Sequence, residues 1–208
     1  MTRAQDGTTL PSRGNSVFAD AETDREFTER GYVVRPLLAP EQIRAVEHLH
    51  DEIFPDLDAD FSATILNDSS DCRVRVSSGV RDIVGEPLRR MFPHHKLVVA
   101  TFVTKRAATT RGRLPLHQDW WVVDNRVHRG VHCWCPLVDV GPENGCLRVV
   151  PGVHRLLNHP YPIHPKFRTT YHPRLPDLDR TFAVPVSMPA GAVRTQQSFA
   201  GSDAGIRV

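Results

Sequence analysis

Two potential metal ligands, His117 and Asp119, lie two residues apart in an apolar stretch and constrain this chain more than any other feature. Because strand side chains alternate between two faces, residues two apart in an extended segment point the same way. An imidazole and a carboxylate on one face can bind one divalent ion. A further imidazole from elsewhere would complete the two-histidine, one-carboxylate site that holds Fe(II) with open coordination positions.

The composition favours one domain with a substantial core. The chain has 208 residues, is 40% hydrophobic and carries a formal net charge of +2, with 26 basic and 24 acidic residues interspersed. We therefore expect no nucleic-acid partner, since no polybasic block is present, and no membrane partner, since no apolar run could span a bilayer. Residues 1–20 predict a flexible arm and residues 21–208 a single domain. The N-terminus lacks an apolar targeting segment, so we expect a cytoplasmic protein.

The sequence pattern in the first half of the domain predicts helices. The spacing of residues 23–26 is typical of a capping box, and Gly31 suits a left-handed C-cap, so a short helix should precede a strand from Tyr32. Pro40 should open a second, amphipathic helix that Pro55 stops.

The next segments have weaker patterns. Residues 56–79 predict a long loop or an irregular strand. Residues 80–91 predict a helix that Gly85 and Pro87 shorten or break.

The second half predicts short strands separated by turns, which indicates an α+β, mainly β fold with an antiparallel sandwich or barrel. The connection at 139–145 contains Asn144-Gly145, a strong hairpin signal. The predicted strands are residues 96–104, 115–123, 130–138, 146–150 and 181–187.

The four cysteines suggest reduced thiols in or near the core. Cys133 and Cys135 share a strand face and Cys146 follows the predicted hairpin, so a zinc cluster with His132 is conceivable. However, their spacing matches none of the usual zinc ribbons, and buried reduced cysteine is common.

The order of several features resembles the phytanoyl-CoA dioxygenase family of Fe(II)- and 2-oxoglutarate-dependent oxygenases. The resemblance runs from about residue 24 to 193 and implies a double-stranded β-helix, a jelly-roll (cupin-like) barrel with flanking N-terminal helices. The features are residues 31–34 leading into the helix from Pro40, His117-Gln118-Asp119, Trp134, Glu143-Asn144-Gly145 and Val150-Pro151-Gly152-Val153-His154.

The resemblance also implies roles for individual residues. His117 and Asp119 correspond to the first two iron ligands, and Thr101 and Trp134 fall at positions that line the 2-oxoglutarate pocket in relatives. The implied partners are Fe(II), 2-oxoglutarate as co-substrate, O2 and a small organic substrate that is hydroxylated, with secondary metabolism as a candidate setting.

The chain departs from the family after Val193. In relatives a distal histidine and then an arginine that pairs with 2-oxoglutarate follow a segment like residues 186–193. Residues 194–208 contain no histidine, and Arg207 lies too close to Gly191 to match that arginine. We expect this atypical tail to lose the strand pattern, leaving the C-terminal strands incomplete, as a truncated or frame-shifted C-terminus would.

Three functions stay open on the sequence. The chain is an oxygenase with an incomplete inherited triad, an inactive or vestigial binding domain on the same barrel, or an unrelated jelly-roll module in which the His-x-Asp is incidental. Residues 159–173 could form a lid over the substrate or merely a stiff crossing on the surface. If this loop folds inward, His164 or His172 could act as the substitute third ligand, although loops hold metal geometry less well than strands.

Overall fold

The computed structural model describes residues 16–105, 114–118, 130–155, 175–196 and 199–202. Four α-helices are described: α1 (Ala21–Arg30), α2 (Pro40–Ile53), α3 (Ser70–Met91) and α4 (Leu175–Phe182). Short 3-10 helices occupy Thr64–Leu66 and Val153–Arg155. The strands are β1 (Tyr32–Pro36), β2 (Phe61–Ala63), β3 (Val103–Lys105), β4 (Leu114–Gln118), β5 (His132–Trp134), β6 (Leu147–Val149), β7 (Val184–Val186), β8 (Ala192–Gln196) and β9 (Phe199–Ser202).

The strands form antiparallel sheets. A three-stranded sheet has the order β1-β8-β5, a four-stranded sheet has the order β4-β9-β6-β7, and β2 pairs with β3. The predicted antiparallel architecture with N-terminal helices is therefore confirmed. In the described residues the two larger sheets do not close into one continuous barrel.

An apolar cluster joins the two larger sheets, and we call it the inter-sheet core. Because its members come from both sheets, it marks the faces that the sheets turn toward each other. Its buried members are Tyr32, Val140, Cys146, Val149, Val186, Met188 and Ala192, with Val34, Trp134 and Val138 packed against them.

The helices cover the opposite face of the three-stranded sheet. Val33 of β1 packs with Phe18, Phe27 and Phe92 in one cluster, and the rings of Phe18 and Phe27 meet edge to face at 5.3 Å. A further cluster joins α2 to α3 through Val46 and its neighbours. These apolar layers fix β1, and through it the neighbouring strand β8.

Helix α1 ends as predicted and begins earlier than predicted. Asp20 is the N-cap and accepts a hydrogen bond from the Thr23 backbone amide, so the cap is three residues before the predicted one. Gly31 has φ 81° at the C-cap, and a side chain there would collide with His154, whose Nε2 lies 3.0 Å from the Thr28 carbonyl oxygen. Both the backbone conformation and the close packing therefore require glycine.

The prediction of a long loop or irregular strand over 56–79 is confirmed only before Ser70, where β2 lies, and the prediction of a short or broken helix over 80–91 is wrong. Helix α3 begins at Ser70, with Ser69 as its N-cap, and continues through Gly85 and Pro87 to Met91. Pro87 cannot donate to the carbonyl oxygen of Ile83, four residues earlier. The Gln42 side chain of α2 donates to that oxygen at 3.5 Å, so a neighbouring helix compensates for the proline.

Strand boundaries differ from the predictions. The described parts of the predicted strands are shorter, and Leu175–Phe182 forms α4 where residues 181–182 were predicted as strand. The predicted hairpin at Asn144-Gly145 is also wrong. A tight turn is present, with Gly145 at φ 90° and Asn144 Oδ1 accepting from the Gly141 amide at 2.7 Å. It joins β5 and β6, which lie in different sheets.

The prediction that residues 194–208 lose the strand pattern is wrong for residues 194–196 and 199–202, which are the described part of that range. Strand β8 continues to Gln196, and Phe199–Ser202 forms β9 between β4 and β6. The predicted arm before residue 16, the predicted lid at 159–173 and residues after 202 lie outside the described residues. In the part of the chain that the structure describes, no helix is both long and apolar enough to cross a membrane.

Candidate functional site

His117 lies on the inner face of the four-stranded sheet. Its neighbour Leu116 packs outward with Val150 and Val153, near the side of the sheet where α4 lies. Since consecutive strand residues face opposite ways, His117 points inward. The His117 side chain is only 8% exposed.

The register across the sheet gives the same orientation. Ser202 of β9 is paired with Leu147 of β6, which is paired with Val186 of the inter-sheet core. Position 200, two residues before Ser202, shares that face and lies directly opposite His117. His117 therefore faces the inter-sheet core from the four-stranded sheet.

Arg194 faces the same space from the three-stranded sheet. Its cross-strand neighbours are Val34 on β1 and Trp134 on β5, and both pack against the inter-sheet core. Cross-strand pairs and residues two apart share a face, so Ala192, Arg194 and Gln196 all belong to it. The structure thus places a buried imidazole and a buried guanidinium on facing sheets.

Arg194 and Gln196 form a buried polar pair. Each is 2% exposed, and Arg194 Nη2 donates a hydrogen bond to Gln196 Oε1. The pair fixes the direction of a guanidinium whose fork geometry is suited to carboxylates. Thr195, between them, faces the other way and lies 3.8 Å from the Cys133 sulfur.

The four predicted site residues do not all lie in one place in the described structure. His117 and Trp134 both lie at the inter-sheet core, whereas Asp119 lies outside the described residues. Thr101 precedes β3 and is exposed; its hydroxyl accepts from the Ile65 amide at 3.1 Å. The pocket role of Thr101 stays a prediction.

The sequence reasoning missed Arg194 and Gln196. The sequence signal for them is the alternation of strand faces over residues 192–196, which puts the side chains of Arg194 and Gln196 on the same face as Ala192. The small polar residues that follow Gln196 hide this alternation, because they favour an irregular tail over a strand.

The cysteines do not gather around a metal in the described residues, where no group of three or more His, Cys, Asp or Glu side chains could hold an ion. Cys133 faces Thr195, and Cys146 is buried in the inter-sheet core. Burial raises the pKa of the Cys135 thiol to about 12, so this thiol is protonated at neutral pH. These observations favour the reduced-thiol interpretation.

Solved oxygenase structures share this fold. The non-heme alpha ketoglutarate dependent carbocyclase SnoK from nogalamycin biosynthesis is 20% identical, with a TM-score of 0.56 over 90% of this chain and 79% of that one. HygX from Streptomyces hygroscopicus, solved with nickel and 2-oxoglutarate, is 16% identical, with a TM-score of 0.57 over 90% and 82%. EctD from S. alaskensis, solved with 2-oxoglutarate and 5-hydroxyectoine, is 18% identical, with a TM-score of 0.54 over 90% and 71%. The shared fold is the antiparallel jelly roll.

Sequence comparison gives the family. A Caenorhabditis elegans protein described as a probable phytanoyl-CoA dioxygenase is 33% identical over 86 residues, which is 40% of this chain and 27% of the relative. The aligned part is thus about a quarter of that relative's length. The family model for phytanoyl-CoA dioxygenase (PhyH) matches residues 3–193, and the chain therefore belongs to the phytanoyl-CoA dioxygenase family.

Proposed function

We propose that the protein is a non-haem Fe(II)- and 2-oxoglutarate-dependent dioxygenase that hydroxylates a small organic substrate, with His117 and Asp119 as metal ligands. The observation that carries the proposal is the buried His117 imidazole on the inner face of a jelly roll whose solved neighbours include proteins with 2-oxoglutarate bound. An ion bound near this imidazole would lie at the inter-sheet core.

The donor chemistry fits Fe(II). Neutral imidazole and carboxylate are the ligand types of the non-haem iron oxygenases, and a pair of them leaves positions open for a co-substrate. When bound, the iron would couple the oxidative decarboxylation of 2-oxoglutarate by O2 to hydroxylation of the substrate.

The chain itself positions and shields the reactants. The inter-sheet core excludes water from the region that His117 faces, which strengthens electrostatic interactions there. Trp134, on the facing sheet, is proposed to line the 2-oxoglutarate pocket, together with Thr101. Asp119 would be ionised and offset part of the metal charge.

A second function has its own support. In the described residues no three donor side chains converge, and the sequence contains no histidine after His172. With two protein donors, iron would be held less tightly than with three. The alternative is a catalytically inactive member of the family that acts as a binding domain.

An anaerobic Fe(II) titration with 2-oxoglutarate separates the two. Bidentate binding of the co-substrate to iron produces a visible charge-transfer band, which we expect in the native protein and in His48→Ala, a control at an exposed histidine of α2. His117→Ala should lose the band. A band that survives in His117→Ala would exclude His117 as a ligand, and no band in folded native protein would favour the binding domain.

A further inference from the structure

We propose that the exposed face of helix α3 is the interface at which two copies of this chain form a symmetric dimer, with their α3 helices packed antiparallel. The residues of this face are Asp71, Val74, Ser78 and Arg81. The partner is a second copy of the chain, so the interface goes beyond the proposed function and does not depend on iron.

The spacing of these four residues places them on one side of the helix. They lie at positions i, i+3, i+7 and i+10, at which helical residues share a face, and all four are exposed. The protein core lies on another side of α3, where Val76 and Val84 pack. Val74 is 66% exposed, so α3 presents an apolar side chain on a side that the described part of the chain does not cover.

Further exposed apolar side chains lie beside this face. The Ala100 amide donates to Ser77 Oγ of α3 at 3.2 Å, and Arg73 of α3 donates to the carbonyl oxygen of residue 67. The chain next to Ala100 and next to residue 67 therefore lies against α3, and its exposed large apolar side chains are Leu66, Val98 and Val99. Together with Val74 they are four of the six exposed large apolar side chains of the described residues. Such a concentration is typical of a protein–protein contact.

Charge complementarity identifies the partner as a second copy. Asp71 lies at one end of the face and Arg81 at the other, about 15 Å apart along the helix axis. Neither side chain has an ion-pair partner among the described residues, whereas Arg75 and Arg90 of the same helix do. In an antiparallel pair related by a two-fold axis, Asp71 of each copy meets Arg81 of the other, and Val74 meets the small side chain of Ser78. The face is therefore complementary to itself.

The charged and the apolar contacts contribute differently to this dimer. Exposed ion pairs add little free energy, and they mainly select the partner and the register of the two helices. Burial of Val74 and of the apolar side chains beside α3 supplies the affinity. The two-fold axis brings the flanking apolar segments of both copies to the same side of the helix pair, so these segments meet each other.

Sedimentation equilibrium of the full-length native protein tests whether the dimer forms. The expected mass is twice the 23.4 kDa of one chain, with monomer appearing on dilution. Val74→Glu should make the protein monomeric, because it buries a charge in the contact. Val184→Glu, the same substitution at an exposed valine of β7, is the matched control and should leave the dimer intact. Circular dichroism checks that both variants are folded.

Charge reversal tests the register of the two helices. Asp71→Arg and Arg81→Asp each bring like charges together twice, so each should weaken dimerisation by about ten- to a hundredfold. An equimolar mixture of these two variants should form a heterodimer, because both contacts then join opposite charges. Arg90→Asp is the control on another side of α3, where Arg90 pairs with Glu86 at 2.6 Å, and it should dimerise like the native protein.

Three results would overturn the proposal. The first is a native protein that is monomeric at every concentration, which would leave the exposed α3 face to a different partner. The second is a dimer that persists in folded Val74→Glu, and the third is a failure of the two charge variants to associate with each other. The charge variants keep the test decisive if Val74→Glu does not fold. None of these results depends on iron, so a failure of metal binding at His117 is seen separately.

Discussion

The two faces of the three-stranded sheet bury different kinds of side chain. One face packs against the helical layer, the cluster of Phe18, Phe27, Val33 and Phe92, and the other belongs to the inter-sheet core. On the outer face of the three-stranded sheet, Phe18, Phe27 and Phe92 pack on Val33 without a buried charge in their cluster. On the inner face of the same sheet, Arg194 and Gln196 are equally inaccessible to water. Apolar packing gains free energy from burial, whereas a buried guanidinium costs free energy unless it is paired and hydrogen-bonded. The difference teaches that one sheet presents an apolar face to the helices and, on its other face, buries polar side chains against the second sheet.

The largest effect should come from the helical layer. Phe27→Ala removes a fully buried ring and should lower the free energy of unfolding by about 3–5 kcal/mol. Phe182→Ala, at a 58% exposed ring, is the control and should change it little. Urea denaturation measures both, and iron binding per folded molecule should be unaltered. If Phe27→Ala unfolds with the same free energy as the control, the helical layer does not supply the stability assigned to it.

A gain of function should come from the inner face. Position 200 lies opposite His117, so Ala200→His places an imidazole on the same face and should tighten Fe(II) binding on the order of tenfold by adding a third donor. Phe199→His, one residue away and on the other face, is the control. Metal affinity measured by competition with a chromophoric chelator distinguishes them, and equal affinities would refute the assigned register.

A smaller effect concerns the bond that crosses from α2 to α3. Gln42→Glu keeps the oxygen that accepts from the Ala39 amide at 3.0 Å but loses the donor to Ile83. Because that bond is long, we expect a loss of about 0.5–1 kcal/mol in unfolding free energy. Pro87→Ala restores a backbone amide that can donate to Ile83, so Gln42→Glu should cost less unfolding free energy in that background. Urea denaturation of the two single variants and the double variant measures the coupling energy between positions 42 and 87. If the two changes in unfolding free energy are additive, the bond from Gln42 to Ile83 is unimportant.

The smallest effect should be the acid dependence of α1. Hydrogen bonds from Arg35, and secondarily from Arg30, hold the pKa of Glu26 below its ordinary value of 4.5. The ionised form is thus favoured on folding, so its contribution is present above pH 4.5 and is lost as the pH falls through the lowered pKa. Glu26→Gln should flatten this acid limb by less than about 1 kcal/mol, since the pair is partly exposed. Glu22→Gln, at an exposed residue of the same helix, is the control and should leave the acid limb unchanged.

Local signals predicted the features that depend on neighbouring residues. The left-handed Gly31, the helix opened by Pro40 and the strand from Tyr32 are all set by their own sequence. The pattern of short strands and turns predicted the antiparallel fold, the spacing of His117 and Asp119 pointed to His117, and the family resemblance implied the jelly roll. Asp119 was predicted on the same grounds and is not described.

The errors arise where distant residues decide the structure. Pro87 and Gly85 weaken a helix in isolation, and only packing against α2 and the Gln42 bond explains why α3 continues. Residues 199–202 have little strand propensity, yet they pair on both sides, with β4 and β6. Burial of Arg194 follows from the pairing of β8 with β1 and β5, which the tail's composition does not reveal.

The bond from Gln42 to Ile83 also limits the order in which substitutions at positions 42 and 87 are tolerated in evolution. A proline at 87 is tolerable while residue 42 offers a side-chain donor, and that donor is dispensable once residue 87 has its own amide. Substitutions at the two positions are therefore epistatic, although the residues are 41 positions apart. Among homologues, loss of the proline should precede loss of the glutamine, because the opposite order passes through a carbonyl group without a donor.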